Sequence, residues 1–111
     1  MLVIGGARGF GGAAALATLG ALRGGAGLVT AVVPEICLTG VAALAPAAMC
    51  HPLAAPDGRL TPATLAAWGR RPEEFDVVVA GPGMTVGRGR PVLFVIWWQV
   101  ARRACCSMRT R

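Results

Sequence analysis

A glycine-rich segment near the start of the chain is the part best suited to holding a ligand. Residues 5–14 (GGARGFGGAA) join a short apolar run to an Ala-rich segment. Where such a loop leads into a helix, backbone N–H groups lack partners and can bind a phosphate or another polar group. Glycine also lets a ligand come close to the backbone. The glycines expected to do this are Gly5, Gly6, Gly9 and Gly12. A tight turn without a ligand is the alternative.

A second glycine turn, Gly81-Pro82-Gly83, directly follows the apolar run FDVVVA of residues 75–80. If both apolar runs are parallel strands, their carboxyl ends lie at one edge of the sheet. Ligands of open α/β sheets bind beyond that edge, so both turns would face the same crevice. The spacing therefore predicts one binding site built from two turns, although a Gly-Pro-Gly turn can also be purely structural.

The first loop also imitates a dinucleotide-binding fingerprint, with Gly9, Gly11 and Ala14 in the pattern GxGxxA and Glu35 after the second apolar run. In a Rossmann fold, the acidic residue would bind the ribose. However, the fingerprint begins four residues after the first run, and Pro34 precedes the acid. A Rossmann-type NAD-binding oxidoreductase fragment therefore remains an alternative.

The other residues capable of chemistry form no catalytic set in the sequence. His51 is the only histidine, and no Ser, Cys or acidic partner can be assigned to it. Asp57 lies in a turn where solvation is expected, and Asp76 begins a strand, where capping or pairing is expected. No pair of carboxylates has a spacing that supports acid–base catalysis. We interpret His51 as structural.

Charge and cysteine content bear on two further classes of site, and a non-catalytic, degenerate protein whose basic tail contacts nucleic acid remains an alternative. The net charge of +6 comes from six arginines after residue 85, because residues 1–85 carry five arginines and five acidic residues. A basic tail can contact nucleic acid non-specifically, but no nucleic-acid-binding motif or aromatic platform accompanies it. The four cysteines contain no CxxC pair for zinc and are interpreted as thiols of a reducing cytosol. They are Cys37, Cys50, Cys105 and Cys106.

Alternating strands and helices must position the glycine turns. The predicted strands are residues 2–4, 28–33, 49–51 and 75–80, and the predicted helices are residues 10–23, 35–44 and 62–69. Leu16, Leu19 and Leu22 form a stripe on the first helix, whose alanines allow close approach to a sheet. Thr61 is the expected N-cap of the third helix. A strand–helix–strand unit of this length predicts an α/β fold with a mainly parallel sheet and right-handed crossovers.

The composition changes abruptly after Thr85. Glycine and arginine alternate up to Arg90, the bulky run VLFVIWW follows, and the chain ends in an Arg- and Cys-rich tail. We therefore expect a domain over residues 1–85 and an aberrant or divergent tail over residues 86–111, arising from a frameshift or an altered gene end. The apolar run of residues 92–101 is about half of what a membrane-spanning helix needs. With no basic leader at Met1, a cytoplasmic protein without a membrane partner is expected.

Three segments, read in order, resemble the ADP/ATP-dependent NAD(P)H-hydrate dehydratase family. They are residues 3–35 (VIGGARGFGGAAALATLGALRGGAGLVTAVVPE), 46–53 (PAAMCHPL) and 75–84 (FDVVVAGPGM). The resemblance implies a partial ribokinase-like three-layer fold and, as substrate, hydrated NADH or NADPH. It also implies ADP or ATP with Mg²⁺, used to phosphorylate the added hydroxyl so that its loss restores the nicotinamide ring. Such an enzyme is a lyase.

The resemblance carries over to particular residues. Ala13 and Gly83 match family positions that contact the hydrated dinucleotide, whereas the family usually has Ser or a similar residue at Ala7 and Gly at Thr85. The family's HPGE segment, its nucleotide-binding stretch and its GxGD motif with the catalytic Asp do not occur in this sequence. The resemblance thus implies part of the dinucleotide site, no catalytic residue, and a chain that is inactive alone.

Overall fold

A computed structural model describes residues 1–85. Its strands are β1 (Leu2–Ile4), β2 (Thr30–Pro34), β3 (Met49–Leu53) and β4 (Val78–Ala80), and its helices are α1 (Gly11–Arg23), α2 (Leu38–Leu44) and α3 (Pro62–Ala67). Two short 3₁₀ turns cover Glu35–Cys37 and Pro72–Glu74. The calls on Cys105, Cys106, the basic tail and the domain over residues 86–111 lie outside the described residues.

The four strands form one sheet in the order β3-β2-β1-β4, and each neighbouring pair is parallel. Leu2 is paired with Thr30 on one side and with Val78 on the other. Every residue of β1 and β2 is buried, as expected for central strands covered on both faces. The predicted α/β class and parallel sheet are confirmed.

Helix α1 packs on the sheet through small side chains. Ala14, Ala15 and Thr18 are its buried residues, and they allow the helix backbone to approach the sheet closely. The Thr18 hydroxyl donates to the Ala14 carbonyl oxygen at 2.8 Å, so its burial leaves no hydroxyl unpaired. The leucine stripe is not the packing face, since Leu16 is 69% exposed. Alanine, and not leucine, therefore determines how this helix is placed.

Helices on both faces make three layers, as the ribokinase-like resemblance implies. On one face, α1 and α2 enclose a cluster that includes Ala31, Val33 and Val41. On the other face, Leu60, α3 and the partly buried Trp68 and Phe75 cover Leu2, Ile4 and Val32. Residues 1–85 contain no helix long and apolar enough to cross a membrane.

Helix α3 begins as the sequence indicates. The Thr61 hydroxyl accepts from the Thr64 amide at 3.2 Å, the Thr64 hydroxyl accepts from the Thr61 amide at 2.8 Å, and Pro62 occupies the first turn. This reciprocal capping satisfies two amides that the helix itself cannot pair. The helix ends at Ala67, two residues before Gly69, which has φ +75°.

Several predicted boundaries are wrong, each for a local reason. Strand β2 begins at Thr30, because Leu28 precedes the sheet and is 73% exposed. The helix expected from Glu35 starts as a 3₁₀ turn and becomes α-helical only at Leu38. Strand β4 is confined to residues 78–80, because a 3₁₀ turn occupies residues 72–74.

Strand β3 runs through Pro52, where the sequence had suggested that it would stop. Among residues 1–85 it pairs with β2 alone and lies at the edge of the described sheet. The Met49 amide donates to the Val29 carbonyl oxygen, and amide direction alternates along a strand, so the amide position of Pro52 faces away from β2. The missing N–H of proline thus removes no bond of the sheet.

Candidate functional site

The candidate site lies where the strand order reverses. From β1 the chain proceeds through α1 to β2 and then to β3, whereas β4 returns to the opposite side of β1. In open α/β sheets, a crevice forms beyond the carboxyl ends of the strands at such a switch point. The residues that follow β1 and β4 are the two glycine turns, and the fold brings them together as the sequence predicted.

The two turns are joined by backbone hydrogen bonds and close packing. The Gly6 amide donates to the Pro82 carbonyl oxygen at 2.8 Å, and the Gly81 amide donates to the Ile4 carbonyl oxygen at 3.0 Å. A Cβ on Gly5 would collide with that same Pro82 oxygen. We call this contact zone of residues 5–6 and 81–83, together with Phe10 and Ala13, the seam.

Gly83 is the most constrained residue of the seam. A Cβ at this position would collide with the Phe10 carbonyl oxygen and lie 3.1 Å from the Ala13 Cβ. Its φ of +70° is in the left-handed region that favours glycine. Ala13 and Gly83, assigned to the substrate by resemblance, are therefore neighbours on opposite sides of the seam.

The remainder of the first loop is open. Gly9 and Gly12 are exposed, and a Cβ on either would meet no atom within 4 Å. We call this open part, Gly9 and Gly12 with the first turn of α1, the lip. No side chain of residues 1–85 caps α1 at Phe10, and the first turn of the helix has no acidic residue. The lip therefore presents uncapped amides and the positive end of the helix dipole, a combination that favours an anion.

Cys37, interpreted from the sequence as a reduced thiol, contacts the back of the first loop. It is 7% exposed, and its thiol donates to the Ala7 carbonyl oxygen at 3.3 Å. A Cβ on Gly11 would lie 3.2 Å from the Cys37 Sγ and Cβ atoms. Burial raises the pKa of the Cys37 thiol, which keeps it in the protonated, donating form. Only the tertiary contact reveals this role, since nothing in the spacing of Cys37 indicates it.

A second brace comes from the segment after β3. The Arg8 amide donates to the Gly58 carbonyl oxygen at 2.7 Å, and Ala7 forms an isolated antiparallel bridge with Arg59. Gly58 has φ +67°, and a Cβ there would lie 2.7 Å from the Arg8 Cβ. The turn at residues 56–58, predicted as a breaker, thus also holds the first glycine loop in place.

A shallow depression of about 340 Å³ lies beside the first loop, at the carboxyl ends of β2 and β3. Glu35 and Ile36 line one side of it, and residues 54–56 line the other. Pro34, immediately before Glu35, places its Cδ atom 3.4 Å from where a Cβ on Gly6 would be. The residue that precedes this lining thus packs against the first glycine turn.

Thr85 contributes a hydroxyl that the sequence analysis treated only as a departure from the family pattern. Its Oγ1 atom is shielded from solvent and has no hydrogen-bond partner within the described part of the chain. Thr85 follows Met84, whose amide donates to the Gly81 carbonyl oxygen at 3.0 Å. This unpaired hydroxyl therefore lies buried at the end of the second turn.

The remaining candidates lie away from the crevice. His51 is half-buried in β3 with its ring 5.9 Å from that of Trp68, in keeping with a structural role. Asp57 and Asp76 are exposed. Over residues 1–85, no three His, Cys, Asp or Glu side chains are grouped so that they could hold a metal ion.

Comparison with known proteins agrees with the resemblance read from the sequence. The family model described as NAD(P)H-hydrate dehydratase matches residues 1–103. The bifunctional NAD(P)H-hydrate repair enzyme Nnr of Gloeobacter violaceus is 41% identical over 85 residues. That match covers 76% of this chain but only 16% of the relative, so the chain spans less than a fifth of that protein. With the match to the family model extending over most of its length, this chain belongs to the NAD(P)H-hydrate dehydratase family.

Proposed function

We propose that this chain forms the part of a NAD(P)H-hydrate dehydratase site that holds hydrated NADH or hydrated NADPH. The observation that carries the proposal is the joining of the two glycine turns at the switch point, with the uncapped end of α1 beside them. Such an end binds phosphate groups, and the nicotinamide dinucleotides carry a diphosphate.

The seam and the lip take different parts of the ligand. The amides at Gly12 and Ala13 are in the first turn of α1, where no helical carbonyl can accept from them, and they are directed at the diphosphate. Gly83 and Ala13 present a surface without large side chains, against which the ligand lies close to the backbone. These residues bind and orient the dinucleotide.

The nucleotide that drives the reaction requires other residues. ADP or ATP with Mg²⁺ would supply the phosphoryl group, but residues 1–85 have no group of side chains that could hold a metal ion. These residues therefore offer no side-chain cluster for the magnesium ion of that cofactor. On this proposal the family's lyase reaction, a cytoplasmic cofactor repair, needs the nucleotide-binding and GxGD segments that the sequence does not contain.

Binding to the purified chain tests the proposal without requiring turnover. We expect hydrated NADH to bind at least tenfold more tightly than NADH or NAD, measured by isothermal titration calorimetry. Gly20→Ala is the matched control, because Gly20 lies in α1 with open space around its Cα and is distant from both turns. Equal binding of NAD and hydrated NADH would favour the Rossmann alternative, and binding of neither would refute the proposal.

Activity provides a second test. Mixed with hydrated NADH, Mg²⁺ and either ATP or ADP, the chain is expected to restore no reduced-nicotinamide absorbance above the rate without protein. Phosphoryl transfer depends on positioned charge around the phosphates, which this chain does not provide. Recovery at an enzymatic rate, with host enzyme excluded, would show that the catalytic residues are present here after all.

A further inference from the structure

The edge of the sheet opposite the crevice carries most of the exposed apolar side chains. Within residues 1–85, seven large apolar side chains are exposed, and four of them lie at the amino-terminal ends of the strands or at the helix end beside them. They are Leu28, which precedes β2, Leu44, which ends α2, Met49, which begins β3, and Val77, which precedes β4. Because the strands are parallel, these positions share one edge of the sheet.

Backbone hydrogen bonds place these residues next to one another. The Met1 amino group donates to the Leu28 carbonyl oxygen at 2.7 Å, and the Leu2 amide donates to the Val77 carbonyl oxygen at 2.8 Å. Met1 therefore lies between Leu28 and Val77, and β3 pairs with β2 on the far side of Leu28. We call this surface the amino-edge patch; its members are Met1, Leu28, Leu44, Met49 and Val77.

The amino-edge patch has the character of a binding surface for protein. Leu28 is 73% exposed and Val77 is 51% exposed. Neighbouring apolar side chains left in water gain free energy when another surface covers them, so a patch of this kind marks an interface. The seam and the lip lie at the other edge of the sheet, and the patch takes no part in the proposed dinucleotide site.

The charges beside the patch indicate a second copy of this chain as its occupant. Arg23 ends α1, which leads to Leu28 on the β2 side of Met1, whereas Asp76 directly precedes Val77 on the β4 side. Both charged side chains are exposed, and neither takes part in an ion pair within residues 1–85. A positive and a negative group on opposite sides of an apolar surface become complementary when that surface meets its own copy across a two-fold axis.

We infer that the amino-edge patch is the interface of a two-fold symmetric dimer. With the axis near Met1, Leu28 packs on the partner's Val77, and Arg23 pairs with the partner's Asp76. The symmetry makes each contact occur twice. The two crevices lie at opposite ends of this dimer and stay open, so the inference does not depend on what the crevice binds.

Sedimentation equilibrium of the full chain tests the dimer. We expect the natural chain to dimerise, and Leu28→Glu to raise the dimer dissociation constant about thirtyfold or more, as loss of a central apolar anchor does. Leu16→Glu is the matched control, because Leu16 is 69% exposed on α1 outside the patch, and its dissociation constant should stay unchanged. Circular dichroism verifies that each variant is folded. A monomeric natural chain, or equal dissociation constants for the two variants, overturns the inference.

Charge reversal tests the two-fold arrangement. Arg23→Asp and Asp76→Arg should each weaken the dimer about fivefold, because each variant places like charges opposite one another. The double variant restores opposite charges, so its dissociation constant should return to within about twofold of the natural value. A double variant that dimerises more weakly than either single variant would show that these two residues do not meet, and would overturn the arrangement.

Discussion

The seam and the lip are built from the same residue type but use it in opposite ways. In the seam, Gly5 and Gly83 have backbone atoms of another segment where a Cβ would be. In the lip, Gly9 and Gly12 have open space there. The first arrangement fixes two turns against each other, whereas the second keeps backbone amides accessible. The comparison teaches that a glycine-rich loop can combine glycines needed for folding with glycines needed for access.

Substitution in the seam should have the largest effect. Gly83→Ala places a Cβ against the Phe10 carbonyl oxygen at a residue with φ +70°. We expect the free energy of unfolding to fall by about 3 kcal/mol, from overpacking combined with backbone strain. Urea denaturation followed by circular dichroism measures this. A fall below about 1 kcal/mol would mean that the two turns are not held together as described.

Loosening the brace behind the seam should have an intermediate effect. Cys37→Ala removes the thiol that donates to the Ala7 carbonyl oxygen and leaves a small void. We expect a loss of about 1–2 kcal/mol, of which Cys37→Ser, which retains a donor, recovers part. Equal losses in the two variants would show that packing alone matters. The measurement is the same denaturation experiment.

The lip should separate binding from stability. Gly12→Ala fills open space in a helix, so we expect stability to rise by about 0.5–1 kcal/mol. The added methyl group also covers the amides directed at the diphosphate, so affinity for hydrated NADH should fall about tenfold. Gly20→Ala should give a similar gain in stability with no change in affinity. If both variants bind equally well, the lip does not contact the ligand.

The smallest effect is expected from removing an exposed ion pair that lies outside both the seam and the lip. The Arg70 Nη2 and Glu74 Oε2 atoms are 3.0 Å apart. The hydrogen bond that Arg70 donates is the main cause of the lowered pKa of the Glu74 carboxyl. When folding lowers the pKa of a carboxyl, that carboxyl stabilises the fold at pH values above its ordinary pKa. The contribution is lost as the pH falls through the lowered pKa. Because the pair is solvated, Glu74→Gln should shift the melting temperature little at pH 7 and leave ligand affinity unchanged. A change in affinity would link this surface to the crevice.

The sequence was sufficient for the order of the elements and for the meeting of the two glycine turns. Buried strands, helix punctuation and the crossover rule place residues 5–6 and 81–83 at one edge of the sheet. These inferences depend on local sequence patterns and on the right-handedness of strand–helix–strand crossovers, and both can be applied to a single sequence. The boundaries of β2 and β4 were less accurate, because they depend on where neighbouring strands stop pairing.

The tertiary contacts that hold the site together could not be predicted from the sequence. The Cys37 thiol donates to the carbonyl oxygen of Ala7, which is distant in sequence. Gly58 likewise packs closely against the distant Arg8. The alanines of α1 were expected to allow close approach to the sheet, and Ala14 and Ala15 do so, but the burial of Thr18 beside them was not predicted. Which stripe faces the sheet is decided by how closely the backbones can approach, a property of the assembled layers.

The reversal of strand order also determines when the crevice can exist. Strands β1, β2 and β3 follow one another along the chain, but β4 pairs with β1 through Leu2 and Val78, the most distant pairing in sequence within the sheet. Contacts between such distant segments form slowly, because a long loop must close before they are made. On the ribosome, the first glycine loop emerges well before its partner turn has been synthesised. Until residues 78–83 follow, the newborn chain lacks one of the two turns that form the candidate site.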